Sequence, residues 1–350
     1  MLTIMISTKN RSDFLIRLLN YYADRGCKHW IYIGDSSEGP HLRNNQEAVA
    51  KLQKRLKIRH FRHQGLSLPA SVRELANSVT TAYATFISDD DFLISETLNK
   101  AVKFLEDNPQ YSVVQGEALI FSLKSSGPYG EFLGTGRYNL RAVEEDSAVQ
   151  RLKNHLNNYS VTLFGVCRTQ DWRRMYREVN TIKDKRFADE LLPCSLSVIY
   201  GKVKKLNSLY LIRQGHDRRN ILPDLYDWIT DSYWQPSYNI FSNCLIEALM
   251  EQDGISQDIA YRVVKQSFWA YIRRGFNVKY EYTYRQPSLA KRTKYMLKRI
   301  PFLLETVQFI KSFFLQSMSL EALLRKNSSY HVDFLPVYRA VKGIRSGINT

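Results

Sequence analysis

Cysteine is scarce in this sequence: four residues, Cys27, Cys167, Cys194 and Cys244, among 350. They lie far apart without CxxC spacing, which argues against a zinc ribbon or a disulfide framework and for free thiols in a reducing cytosol. Long apolar runs are missing too. No stretch approaches the roughly 20 residues of a membrane span. Residues 1–6 lack a basic leader and turn polar at Ser7-Thr8-Lys9-Asn10, so no signal peptide is expected. Internal repeats and low-complexity tracts are absent, which sets solenoids aside. Acidic residues are in deficit, 34 Asp and Glu against 50 Lys and Arg, a net charge of +16. The imbalance is local: residues 257–350 hold 17 basic and 5 acidic residues, a net of +12. A basic C-terminal part calls for an anionic partner, whether a membrane leaflet, a phosphorylated lipid or a nucleic acid.

What is present is ordinary for a globular protein, 44% hydrophobic and 24% charged, and its pattern alternates. Apolar, β-branched runs at 2–8, 30–33, 58–61 and 83–87 read as strands. Helical spacing separates them at 12–25, 44–55 and 69–79, and Gly26 is placed to end the first helix. Strand–helix alternation of this kind builds a mostly parallel sheet flanked by helices, an α/β fold of Rossmann-like type. Further on, a helix is expected at 95–107, a strand at 111–121 bent at Gly116, and a Gly- and Ser-rich loop at 125–137. Then come a helix at 144–157, a strand at 161–167, an apolar helix from 187 to 200 and a last strand at 203–213. Beyond Pro223 helical patterns dominate. The chain therefore divides into residues 1–222 and a basic, mainly helical part, 223–350.

The residues between 83 and 93, YATFISDDDFL, run from a strand straight into Asp89, Asp90 and Asp91. Three adjacent carboxylates repel, so either a cation or water must meet them. A divalent metal that carries a phosphorylated ligand suits oxygen donors at a strand end; a solvated acidic turn before a helix capped by Ser95 is the other reading. The Thr8–Arg11 turn and Asp35 also follow directly after strands, so all three polar clusters are expected on one edge of the sheet, where such folds bind ligands.

In this order, Thr8-Lys9-Asn10-Arg11, Asp35, Asp89-Asp90-Asp91 and Asp189-Glu190 resemble the nucleotide-sugar glycosyltransferases of GT-A fold. The likeness is to the family-two-like bacterial enzymes that build capsule and O-antigen polysaccharides, and it covers residues 1–216. It implies transfer of a sugar from a nucleotide-diphosphate sugar to a hydroxyl of a glycan or polyprenyl-diphosphate-linked acceptor, with inversion. It further implies a Mn²⁺ or Mg²⁺ ion held by Asp91 and Asp89, with His216 as a further ligand. Asp35 would bind base or ribose. Thr8, Asn10 and Arg11 would close over the nucleotide, and Asp90 would orient the strand end. Asp189 or Glu190 would be the general base, and Asp189 is preferred by position. His216 sits among Arg213, Arg218 and Arg219, a cluster suited to a diphosphate; a surface histidine in a polar loop is the alternative. The cations and apolar face at 288–324 suit a cytoplasmic protein lying on the inner face of the membrane, or equally a packed helix. A nucleic-acid acceptor, a nucleotidyltransferase and a nucleotide-binding protein on the same fold are the competing functions.

Overall fold

A computed structural model describes residues 1–217, 223–283 and 318–343. Its centre is a nine-stranded sheet. The first half alternates as the periodicity predicts: β1 (Leu2–Thr8), α1 (Ser12–Asp24), β2 (Trp30–Asp35), α2 (Gly39–Leu52), β3 (Lys57–Arg62), α3 (Leu68–Ser78) and β4 (Tyr83–Ser88). Strands β3, β2, β1 and β4 lie side by side and parallel. β1, β2 and β4 are buried along nearly their whole length, because helices cover both sides, whereas the edge strand β3 exposes Lys57, Arg59 and Arg62. Gly26, at φ +59°, closes α1 as expected. Helix α2 begins earlier than the pattern implies, because Pro40 stands in its first turn.

The second half mixes directions. It comprises β5 (Phe92–Leu93), α4 (Ser95–Asp107), β6 (Tyr111–Leu123), β7 (Phe132–Tyr138), α5 (Ala148–Asn157), β8 (Val166–Arg168), α6 (Thr169–Met175), α7 (Leu192–Tyr200) and β9 (Lys202–Gly215). The short β8 runs antiparallel between β4 and β6, while β9 pairs parallel with β6. Two expectations are corrected here. The stretch read as a loop contains β7, which pairs antiparallel with β6; Gly134 and Gly136 hide the strand from propensity, and a long partner edge supplies it. The strand read over 161–167 shrinks to three residues, and its loop is drawn in tightly. A Cβ on Gly165 would run into Val113 Cγ1.

Helices α8 (Leu225–Ile229), α9 (Trp234–Asp253) and α10 (Gln257–Thr283) pack together, α9 against α5 and α7 and α10 against α5, and α11 (Leu320–Leu324) and α12 (His331–Lys342) return to β7 and α1. Phe132 of β7 stacks on Tyr338 of α12 at 5.3 Å. Arg218 and residues 284–317, with most of the basic stretch, lie outside the described residues. No helix among the described residues is long and apolar enough to cross a membrane.

Candidate active site

Sheet register brings the polar strand ends together. Thr8 pairs with Asp35 across β1 and β2, and Ser7 pairs with Ser88 across β1 and β4. The next residue, Asp89, therefore stands beside Thr8, whose hydroxyl donates to Asp89 Oδ2 at 2.6 Å. Asp89, Asp90 and Asp91 are all buried. Burial of that much negative charge needs compensation, and the chain provides it. Arg11 forms ion pairs with Asp89 and Asp90. Arg213 Nε donates to Asp91 Oδ2 at 2.8 Å, and the Gln214 backbone N–H donates to Oδ1 at 3.0 Å. His216 Nε2 lies 2.8 Å from Asp90 Oδ2, with its ring stacked on Phe14 at 4.9 Å.

The metal trio implied by the resemblance takes a different form. His216 meets Asp90 rather than Asp91, and among the described residues no three His, Cys, Asp or Glu side chains converge on one point. Asp90 takes Arg11 and His216 on its side chain, and its carbonyl accepts from Arg17 Nη2 at 2.7 Å. Burial pushes the Asp89 carboxyl up to about 7, against the pull of Arg11 and with a further push from Asp90. Burial opposes the charge on Arg213, yet Asp91 beside it holds the guanidinium pKa above its ordinary range.

Asp35 forms a separate, fully buried node. Its carboxylate accepts from the Ser37 backbone N–H and from Asn45 Nδ2, both at 2.8 Å, and lies 2.9 Å from His60 Nε2. Burial would raise its pKa, but His60, Ser37 and Asn45 together hold it below the usual carboxylate range. Asn10, at φ +53°, turns the chain out of β1 and ties it to the Asp35 loop, accepting from Glu38 N–H at 3.0 Å and donating its own N–H to Ser37 Oγ at 2.8 Å.

Asp189 and Glu190 sit in a π-helical turn, Phe187–Leu191, that leads into α7. Burial, and to a lesser degree Glu190 and Asp184, push the Asp189 carboxyl up to about 7 against Lys185. Glu190 Oε1 accepts from the Tyr159 hydroxyl at 2.9 Å.

Several site residues escaped the sequence reading. Arg17 is 1% exposed and clamps Pro128 O at 2.6 Å, Gln214 Oε1 and Asp90 O, its guanidinium between the rings of Phe14 and Phe92. Burial pushes its pKa down to about 10 despite Asp90. An arginine on the apolar stripe of α1, in step with Phe14, Leu18 and Tyr21, was the readable signal. Tyr138 accepts from Arg213 Nη1 at 2.9 Å; it lies on the unrecognised β7, so nothing local marked it. Two clefts of about 480 and 730 Å³ lie elsewhere, one between α6, α7 and α9, the other around 77–83 and 168–173. In the latter, Arg168 and Arg173 spend their guanidinium groups on backbone carbonyls.

Residues 3–157 match the model of glycosyl transferase family 2. No curated protein matches the chain. Among solved structures, the chain is similar to Staphylococcus aureus TarS 1–349 in complex with UDP-GlcNAc, at 11% identity and a TM-score of 0.50, covering 98% of this chain and 90% of that one. The same segment in complex with UDP matches at 12% identity, with the same coverage and a TM-score of 0.49. The longer TarS chain is covered to 55%, with 98% of this chain aligned, at 12% identity and a TM-score of 0.47. The structural likeness is one of fold, the GT-A fold.

Proposed function

We propose that this protein, whose residues 3–157 match the model of glycosyl transferase family 2, is a glycosyltransferase that moves a sugar from a nucleotide-diphosphate sugar to a hydroxyl of a glycan or polyprenyl-diphosphate-linked acceptor in surface-polysaccharide synthesis. One observation carries the reading: three buried carboxylates at the end of a parallel strand are ringed by Arg11, Arg17, Arg213 and His216, on the same sheet edge as Asp35. Alternating charge of this kind suits a ligand with ribose hydroxyls at one end and a diphosphate at the other. Asp35, held ionised by Asn45 and His60, serves the base and ribose. Thr8, Asn10 and Arg11 close that side, with Asp89 as the acceptor for sugar or ribose hydroxyls. Arg213, turned from Asp91 toward the ligand, serves the diphosphate, and Arg218 is expected to assist. One of the similar TarS structures is a complex with UDP-GlcNAc, which makes UDP-sugars the first donors to try.

The donor set fits a divalent ion at one point. Asp90 Oδ2 and His216 Nε2 lie 2.8 Å apart with both side chains buried, so a cation that replaced their shared proton would meet both. One carboxylate and one imidazole form a partial shell for Mn²⁺ or Mg²⁺, whose other ligands are phosphate oxygens and water. Asp91 and Asp89 stand behind this pair. When bound, such an ion neutralises charge that develops on the leaving diphosphate. The carboxylate pair Asp189 and Glu190 supplies the base. As the acceptor oxygen bonds to the anomeric carbon, its proton passes to that carboxylate and the carbon–phosphate-oxygen bond breaks on the opposite face, with inversion.

The helical part after residue 222 supports this catalytic part, and the net +12 of residues 257–350 suits peripheral contact with the inner face of the cytoplasmic membrane. The test of the function is release of nucleoside diphosphate from a panel of UDP-, GDP- and dTDP-sugars, with and without Mn²⁺. Asp90→Ala and Arg213→Ala should each lower kcat/KM for the donor by roughly 100-fold while the circular dichroism spectrum stays native. Unchanged turnover in both variants would sink the site assignment.

A further inference from the structure

Asp189 and Glu190 are neighbours in one turn, yet they are held differently. Glu190 accepts the 2.9 Å hydrogen bond from Tyr159; among the described residues no side-chain hydrogen bond reaches Asp189. Tyr159 follows the end of α5, and its ring lies edge-on to His155 at 5.1 Å and to Tyr271 of α10 at 5.2 Å. Its hydroxyl is therefore fixed in direction. Tyr138 meets Arg213, and Arg213 meets Asp91. Packed contacts thus run from α10 through Tyr159 to Glu190.

We propose that Tyr159 is a positioning residue for the transfer step: its hydroxyl holds the Glu190 carboxylate in one orientation and makes Glu190 the member of the acidic pair that takes the acceptor's proton. The proposal rests on the reading of this chain as a glycosyltransferase with its base in this turn. A glutamate has three rotatable bonds, and a hydrogen bond from a locked phenol removes most of that freedom before the reaction begins.

The experiment uses the full chain and the donor that wild type turns over in the panel above. Tyr159→Phe should lower kcat about tenfold and leave the donor KM unchanged, because the carboxylate loses its orientation while the donor site keeps its contacts. Glu190→Gln should abolish turnover. Glu190→Asp, which draws the carboxylate back from the phenol, should show the same fall in kcat at unchanged donor KM, and Tyr159→Phe added to it should cause no further fall. Should Tyr159→Phe not fold, Glu190→Asp alone carries the test. A wild-type kcat in Tyr159→Phe, with Glu190→Gln inactive, would overturn the positioning role and leave the base in place. Full turnover by Glu190→Gln would overturn both, and no turnover of any donor by wild type would reject the functional reading beneath them.

Discussion

At the scale of the residue, three consecutive aspartates in one turn have three different sets of partners. Asp89 is held by Thr8 and Arg11, Asp90 by Arg11 and His216, and Asp91 by Arg213 and the Gln214 backbone. Their repulsion is met by cations from the start of α1 and from the end of β9, far apart in the chain. Asp189 shows the cost of a carboxylate with less support. Its carboxyl, pushed up to about 7 mainly by burial, ionises in the unfolded chain at its ordinary value of 3.8. The unfolded state therefore loses its proton first, and stability falls as pH rises from about 4 to about 7. Asp189→Asn removes that cost. Urea unfolding should find the variant roughly 2 kcal/mol more stable than wild type at pH 8 and equal to it at pH 4. A difference of the same size at both pH values would refute the assigned cause.

At the scale of the element, β6 is the longest-range organiser of the site. It pairs with β7, β8 and β9, and thereby sets Tyr138 on one neighbour beside Arg213 on another. The bend needed to serve all three falls at Gly116, where the register with β9 shifts. A Cβ there would lie 2.5 Å from Ser208 O and 2.8 Å from Tyr210 Cβ, and both neighbours are held in the sheet. Gly116→Ala should cost about 3 kcal/mol in urea unfolding, at the upper end of overpacking effects, and should weaken donor binding through the displaced β9 end. A loss below about 0.5 kcal/mol would show that the strand slips to accommodate the methyl. The π-helical turn at Phe187–Leu191 works at the same scale. Its wider winding precedes Pro193, which removes one backbone donor in the first turn of α7, and it carries the two candidate bases.

At the scale of the whole molecule, the C-terminal helices complete the site from behind. Helix α10 supplies Tyr271 to the cluster around Tyr159, and α12 covers the β6–β7 hairpin, where the Gly130 N–H donates to Val341 O at 3.1 Å. The hairpin loop in turn presents the carbonyls of Gly127 and Pro128 to Gln214 and Arg17. Phe334 of α12 is fully buried, 6.1 Å from Phe132. Phe334→Ala should cost about 3–5 kcal/mol, measured by urea unfolding at constant pH. A loss under about 1 kcal/mol would mean that α12 is not part of the cooperative core.

The sequence by itself determined the alternating first half of the fold and the edge on which the ligand-capable residues stand. Strand and helix periods are local, and residues that follow parallel strands must emerge on the same side. Thr8, Asp35 and Asp89 were legible for that reason. Only the tertiary structure decided which cation answers which carboxylate, because those pairs join residues 79 and 122 positions apart, as in Arg11–Asp90 and Arg213–Asp91. It also decided that residues 132–138 are a strand, since the partner edge of β6 supplied the hydrogen bonds that a Gly-rich segment does not advertise. The contrast between Asp189 and Glu190 belongs to the same class. Adjacent acids on one turn look alike in sequence, and they differ only in what packs against each, Tyr159 against one and its own turn against the other.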